Sequence, residues 1–197
     1  MGTRGLMGIR SDSKDHFQYV HFDCYPSGLG ANLVKEIKTM VKNLPRWKEL
    51  ANKLKDIEPK SKPTDKEIKR LSKYANTGVS TGDLTEWYVL LRNLQGELKK
   101  TLRSGYIEHK PEWIADSLYC EYGYIVNLDE NTFEVYVGFQ HEKDKNPQNR
   151  YRDMPLAKYS SDSIYYPCKL VATFKLDSIP KDWDRIAFPP DKEDEDV

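Results

Sequence analysis

Two stretches that read as strands folded back on themselves stand roughly a hundred residues apart in this chain. An isolated two-stranded hairpin is marginal in water, so both must join a larger sheet or be covered by helices. In the first, residues 5–10 and 17–22 carry branched and aromatic side chains on either side of a turn-rich segment at 11–15. In the second, residues 120–127 and 132–139 flank a turn at 128–131, with Phe133, Val135, Val137 and Phe139 at strand alternation on one face. Residues 141–152 are polar and read as a loop, and 169–176 as a final strand.

Between the hairpins the hydrophobic period changes from two to three and four. Leu33, Val34, Ile37, Met40 and Val41 form a stripe on a helix over 31–43, which Gly30 or Asn32 can cap. Pro45 fits the first turn of a second helix carrying Trp47, Leu50, Ala51 and Leu54, and Pro59 and Pro63 mark a linker. Thr64 followed by Glu67 has the form of a capping box opening a short helix to about Tyr74. Asp83 then caps a longer helix in which Leu84, Trp87, Leu90, Leu91, Leu94 and Leu98 recur; Gly96 weakens it and Gly105 ends it. The expected fold is α+β: an antiparallel sheet made from the N- and C-terminal hairpins, with helices packed on it. Residues 1–190 form one domain, 31–104 its helical insertion, and 191–197 an acidic, solvated tail.

The chain of 197 residues has zero formal net charge, unevenly spread. Residues 35–103 hold seventeen Lys or Arg against nine Asp or Glu, which raises the possibility of nucleic-acid binding through Lys-rich helices. Interspersed glutamates favour the simpler reading of a solvated helix surface. No segment has the apolar length of a membrane span, and Arg4 and Arg10 interrupt the one stretch resembling a signal peptide, so a cytoplasmic protein is expected. Cys24, Cys120 and Cys168 have neither disulfide-framework nor zinc spacing. Phosphate-loop, dinucleotide and zinc-protease motifs are absent, and no cofactor or metal is expected.

The chemistry concentrates at the end of the first hairpin, where His21, Asp23, Cys24, Tyr25 and Ser27 lie within seven residues. His21 and Asp23, two apart on a strand, would share a face and form a carboxylate-oriented imidazole. Cys24 would then point the other way, as a small buried hydrophobe rather than a nucleophile. Arg4, between small residues at a strand start, can take a phosphate or carboxylate in bidentate fashion or pair with Asp23. Ser27, Gly28 and Gly30 precede a helix and can offer backbone amides to an anion. His109 and Glu112 make no recognised metal pair, and His16 and His141 fall in loops.

The Gly-Thr-Arg-Gly-Leu run at 2–6, the His-Phe-Asp-Cys-Tyr-Pro-Ser-Gly-Leu-Gly run at 21–30, and Tyr-Ile-Val-Asn-Leu-Asp at 124–129 resemble a group of uncharacterised proteins from bacteriophages, bacteria and fungi. The resemblance covers about a quarter of the chain. Its usual form has serine where this chain has Cys24, which speaks against an obligatory thiol nucleophile, and it implies no reaction. A more distant similarity is to N-terminal-nucleophile hydrolases, in which the first residue's free amine activates its own side chain. Loss of Met1 here would expose Gly2, which carries no nucleophile, and Thr3 would need a further cut.

The expected role is an accessory binding protein of phage type, holding an anionic small molecule or a protein partner at the Arg4, His21, Asp23, Tyr25 and Ser27 end of the sheet. A hydrolase or transferase, with His21, Asp23 and Cys24 as its catalytic candidates, is the alternative, and nucleic-acid binding a third.

Overall fold

The computed structural model describes residues 2–58, 60–160 and 163–190. Met1 and the acidic segment 191–197 lie outside them, and with them the expectations about N-terminal processing and the tail. Strand β1 (Gly5–Ser11) turns through two residues, Asp12 and Ser13, both at positive φ, into β2 (Lys14–Val20). A two-residue turn of this hand matches the strand twist, and the Asp129 carboxylate accepts both turn amides at 2.8 Å. The turn is shorter than the sequence implied. His16 therefore lies on β2 and is buried, correcting its expected loop position.

The chain then runs through a single wide π-type turn (Pro26–Gly30) into α1 (Ala31–Met40) and α2 (Leu44–Ala51). Gly30, one of the two residues expected to cap α1, stands at its N-cap position, where no side-chain cap bond is made. Pro45 sits in the first turn of α2, as its fixed φ favours, with Asn43 capping from outside. The short strand β3 (Lys55–Asp56) precedes α3 (Asp65–Leu71), where Thr64 and Glu67 form the expected reciprocal capping box.

The long helix expected after Asp83 is broken into α4 (Trp87–Leu90), a 3-10 turn at Arg92–Leu94 and α5 (Leu98–Ser104). Gly96 stands between them at φ 77, a conformation incompatible with helix continuation, and donates its amide to Gln18 Oε1. Asp83 accepts from the Thr85 amide in a local turn instead of capping a helix. The leucine spacing persists because 3-10 and α turns both return a side chain to the same side after three or four residues. Trp87, Leu90, Leu91 and Leu94 bury against Ile57 and Leu71 in a small core of their own. Gly105, at φ 76, ends α5 as expected.

After β4 (Tyr106–Ile107), which pairs with β3, come β5 (Tyr122–Asn127) and β6 (Thr132–Val137). A small hairpin of β7 (Ala157–Ser160) and β8 (Ser163–Tyr165) precedes β9 (Lys169–Lys175) and α6 (Trp183–Ala187). Phe139 leaves the face predicted for it: it lies beyond β6 at φ 56 and is exposed.

The main sheet has the order β2-β1-β5-β6-β9. It is an α+β architecture, but the sheet is mixed rather than antiparallel, because β1 pairs with β5 in parallel while the other neighbours are antiparallel. The long helical connection between β2 and β5 permits this, since only a crossover of that kind can return a strand parallel to an earlier one. Met7, Ile9, Val20, Tyr124, Val126, Phe133 and Val135 face one side, packed against α1, α2, α5 and α6. Leu6, Phe17, Ile125, Tyr136 and Leu170 face the other, covered by Ile114, Cys120, Tyr151 and Cys168.

This second face also buries charge. Glu134, 3% exposed, accepts from Arg150 Nη1 and Nη2 at 2.9 and 2.7 Å, from Asn127 Nδ2 at 2.8 Å and from the Tyr136 hydroxyl at 3.0 Å. Arg10 pairs with Asp15 at 3.0 Å beside it.

Candidate functional site

The decapeptide at 21–30 is held by its backbone. The strand ends at Val20, and Asp23 takes a positive φ of 55, so the side-chain alternation expected for His21 and Asp23 stops there. Their carboxylate–imidazole pair does not form: His21 Nδ1 is hydrogen-bonded to the Tyr19 hydroxyl, and the exposed Asp23 carboxylate receives the Tyr25 hydroxyl at 3.4 Å. Cys24 is fully buried, with its thiol directed to the carbonyls of Val20 and Phe22. Burial, with smaller contributions from Glu121 and Asp23, pushes that thiol up to about 12, so it stays protonated and unreactive at neutral pH.

Two amides of the run expected to receive an anion are already used. Gly28 N donates to Tyr25 O at 3.0 Å and Leu29 N to Asp23 O at 2.8 Å. A Cβ on Gly28 would lie 2.2 Å from the Asp23 carbonyl oxygen, and one on Gly30 would lie 2.5 Å from the Trp183 ring. Both glycines therefore answer a packing requirement, and the turn is a closed structural knot tying the N-terminal hairpin to α1 and α6. Tyr25 and Ser27 stay on its exposed side.

Arg4 is exposed, with its guanidinium over the Tyr119 ring at 5.6 Å; its backbone amide donates to Glu121 Oε1. The expected ion pair with Asp23 is not formed. Arg4 and Arg92 lie close enough to His21 to matter electrostatically: burial first, then these two cations, hold the imidazole below its ordinary value.

His21 opens onto a groove of about 910 Å3 between the end of β2 and the helical insertion. Its lining includes Phe22, Lys73, Tyr74, Arg92 and Lys100, with Asn76, Asn93, Gln95 and Glu97. Arg92 is clamped between Phe22 and Tyr88, at 5.8 and 5.4 Å from the ring centroids, and donates to Gln95. Lys73 lies over Tyr74 at 5.0 Å, and Lys100 pairs with Glu97 at 2.9 Å. Among the described residues neither Arg92 nor Lys73 has an ion pair.

Of the expected site residues only His21 lines this groove; Asp23, Cys24, Tyr25, Ser27, Gly28 and Gly30 do not, and Arg4 acts on it through its field. Sequence reasoning missed Phe22, Lys73, Arg92 and Lys100. The basic excess at 35–103 was the available signal, but the helix break at Gly96 that turns Arg92 toward β2 was not legible. No cluster of three or more His, Cys, Asp or Glu able to hold a metal ion occurs among the described residues. No described helix is long and apolar enough to cross a membrane.

Comparison with protein-family models, curated proteins and solved structures finds no match to this chain.

Proposed function

We propose that this is a binding protein whose groove beside His21 takes an anionic small molecule. The observation that carries the reading is the convergence of Arg92, Lys73 and Lys100 on one groove, with Glu97 its one lining carboxylate among the described residues, while Arg4 adds to the positive field at His21. A guanidinium held in place by two aromatic rings is already oriented, so less entropy is lost when it engages an anion. The N-terminal decapeptide gives this site its own first two residues, His21 and Phe22, and the rest of it serves indirectly, by fixing the backbone path that sets where they stand. A phage-type accessory role and a cytoplasmic location belong to the same proposal; they rest on the sequence motifs and on three buried free thiols that suit a reducing compartment. The hydrolase reading is less well supported, because Cys24 is buried and Asp23 does not orient His21.

The test is titration with inorganic pyrophosphate and with citrate, followed by amide chemical shifts. Saturable shifts centred on His21, Phe22 and Arg92, weakened by salt and by Arg92→Gln, are expected. Shifts scattered over the surface, or affinity unchanged in Arg92→Gln, would refute the site.

A further inference from the structure

Phe22 is 54% exposed, yet it is not loose. A Cβ on Gly2 would fall 2.4 Å from its ring, so the glycine backbone lies directly against the ring edge. The His21 imidazole meets it edge-on at 4.1 Å, and Arg92 lies over it at 5.8 Å. A ring held in place and open to water beside a cluster of cations offers a flat apolar surface on which a planar group can stack.

Three side-chain amides line the same groove with one end already engaged. Asn76 Oδ1 accepts from Gly78 N at 2.9 Å, which leaves its NH2 available. Asn93 Nδ2 donates to Ala75 O at 3.0 Å, which leaves its carbonyl oxygen. Gln95 Oε1 accepts from Arg92, which leaves its NH2. Oriented donors and an acceptor beside an exposed ring match the edge and face of a heteroaromatic base, while Lys73, Arg92 and Lys100 match a phosphate.

We infer that the ligand of this groove is a mononucleotide, its base stacked on Phe22 and its phosphate held by Arg92 with Lys73 and Lys100. The inference rests on the anion-binding reading above and deepens it. A single nucleotide is favoured over a nucleic-acid strand because the described lining offers three cations, with Lys100 shared with Glu97 and Arg92 and Lys73 without an ion pair, enough for one phosphate group rather than a tracked backbone.

The experiment is calorimetric titration of the full chain with adenosine 5′-monophosphate, ribose 5-phosphate, adenosine and a single-stranded tetranucleotide. The nucleotide is expected to bind about tenfold or more tighter than ribose 5-phosphate, the margin typical of one stacked base. Phe22→Leu should erase that margin, and Arg92→Gln should weaken both phosphates. Because Phe22 is largely exposed, its replacement leaves the core intact, and thermal unfolding of each variant checks this. Equal affinity for nucleotide and ribose 5-phosphate would overturn the nucleotide inference and leave the anion site standing. Adenosine binding as tightly as its phosphate would overturn both, as would binding of none of the four. A tetranucleotide more than tenfold tighter, with a steep salt dependence, would overturn the mononucleotide in favour of a strand.

Discussion

Replacing Glu134 by leucine tests the energetics of the charge buried beneath the second face of the sheet. Its carboxylate accepts four hydrogen bonds, two of them from the Arg150 guanidinium, and its side chain is 4% exposed against 26% for Arg150. Burial by itself would make the Arg150 charge less favourable, but the bonds to Glu134 outweigh it and hold the guanidinium firmly protonated. Removing one partner from such a pair costs about 3–5 kcal/mol, because a buried charge loses its compensation. Arg150 retains some access to water and can swing toward Asp15 Oδ1, 3.9 Å away and otherwise without a hydrogen bond, so the lower end of that range applies. A loss of about 3 kcal/mol lowers the midpoint of thermal unfolding by about 6–12 °C in a chain of this size. Arg150→Met should cost a similar amount by stranding Glu134. The double variant, Glu134→Leu with Arg150→Met, removes both charges of the pair; it orphans the Asn127 and Tyr136 donors and takes from the Tyr151 hydroxyl the bond that Arg150 Nε donates at 2.8 Å. It should therefore be more stable than the sum of the single losses by about 2 kcal/mol. Urea unfolding of the four proteins closes the cycle. Additive losses would refute the claim that these two charges stabilise each other, and a loss below about 1 kcal/mol for Glu134→Leu would refute their burial.

Asp56 accepts from His16 and Lys14, bonds that outweigh the cost of its burial and hold the carboxyl at about 2. Its folded value lies below its unfolded one, so the stability it contributes is present above about pH 4 and lost as pH falls toward 2. Asp56→Asn should accordingly be less stable than the parent at pH 6, with the difference closing by pH 2 in urea titrations; a constant gap would contradict this. The His21 imidazole should titrate below the ordinary histidine range in NMR, because burial and then Arg92 and Arg4 oppose its charge, and Arg92→Gln should move it upward. No movement would show that Arg92 stands elsewhere. All three thiols are buried, so a disulfide-exchange reagent at pH 8 should modify them only at the rate of unfolding, and fast reaction of Cys24 would overturn its placement. Gly28→Ala forces a Cβ into the Asp23 carbonyl and Gly30→Ala forces one into Trp183; each should cost about 1–3 kcal/mol in chemical unfolding, and unchanged stability would refute the close approach.

The parts of this fold that were legible in the sequence are those set by local rules. The Thr64–Glu67 box, Pro45 in a first turn, Gly105 at a helix end and both hairpins depend on residues a few positions apart. What was not legible depends on partners far away. The parallel pairing of Gly5–Arg10 with Tyr122–Asn127 leaves no trace in either strand's alternation, since each could equally pair antiparallel. Glu134 reads as a solvent-facing residue between Phe133 and Val135, and only Arg150, on a distant loop, explains why it is buried. The leucines after Asp83 suit two helical periods equally, so the bend at Gly96 stays hidden.

The same distinction explains why the motif drew attention to the wrong atoms. Reactive side chains at 21–30 were legible as a cluster because they are adjacent in sequence, yet adjacency in a turn with Asp23 at positive φ scatters them: Cys24 into the core, Asp23 and Ser27 to solvent, His21 to the groove. Two glycines there cannot carry a Cβ without collision, so what that sequence specifies is a backbone path. The path has a chemical consequence all the same. It stops β2 at Val20 and seats Phe22 against Gly2 and Arg92, a residue seventy positions away. Gly96 is fixed against the same strand by its hydrogen bond to Gln18, which brings the Arg92 turn to the strand's end. A groove assembled this way requires both glycine-dependent devices at once. Replacing Gly96 with alanine, which φ 77 disfavours, should therefore weaken the nucleotide binding proposed at Phe22 in calorimetric titration while thermal unfolding stays cooperative, and an unchanged affinity would refute the dependence of the groove on Gly96.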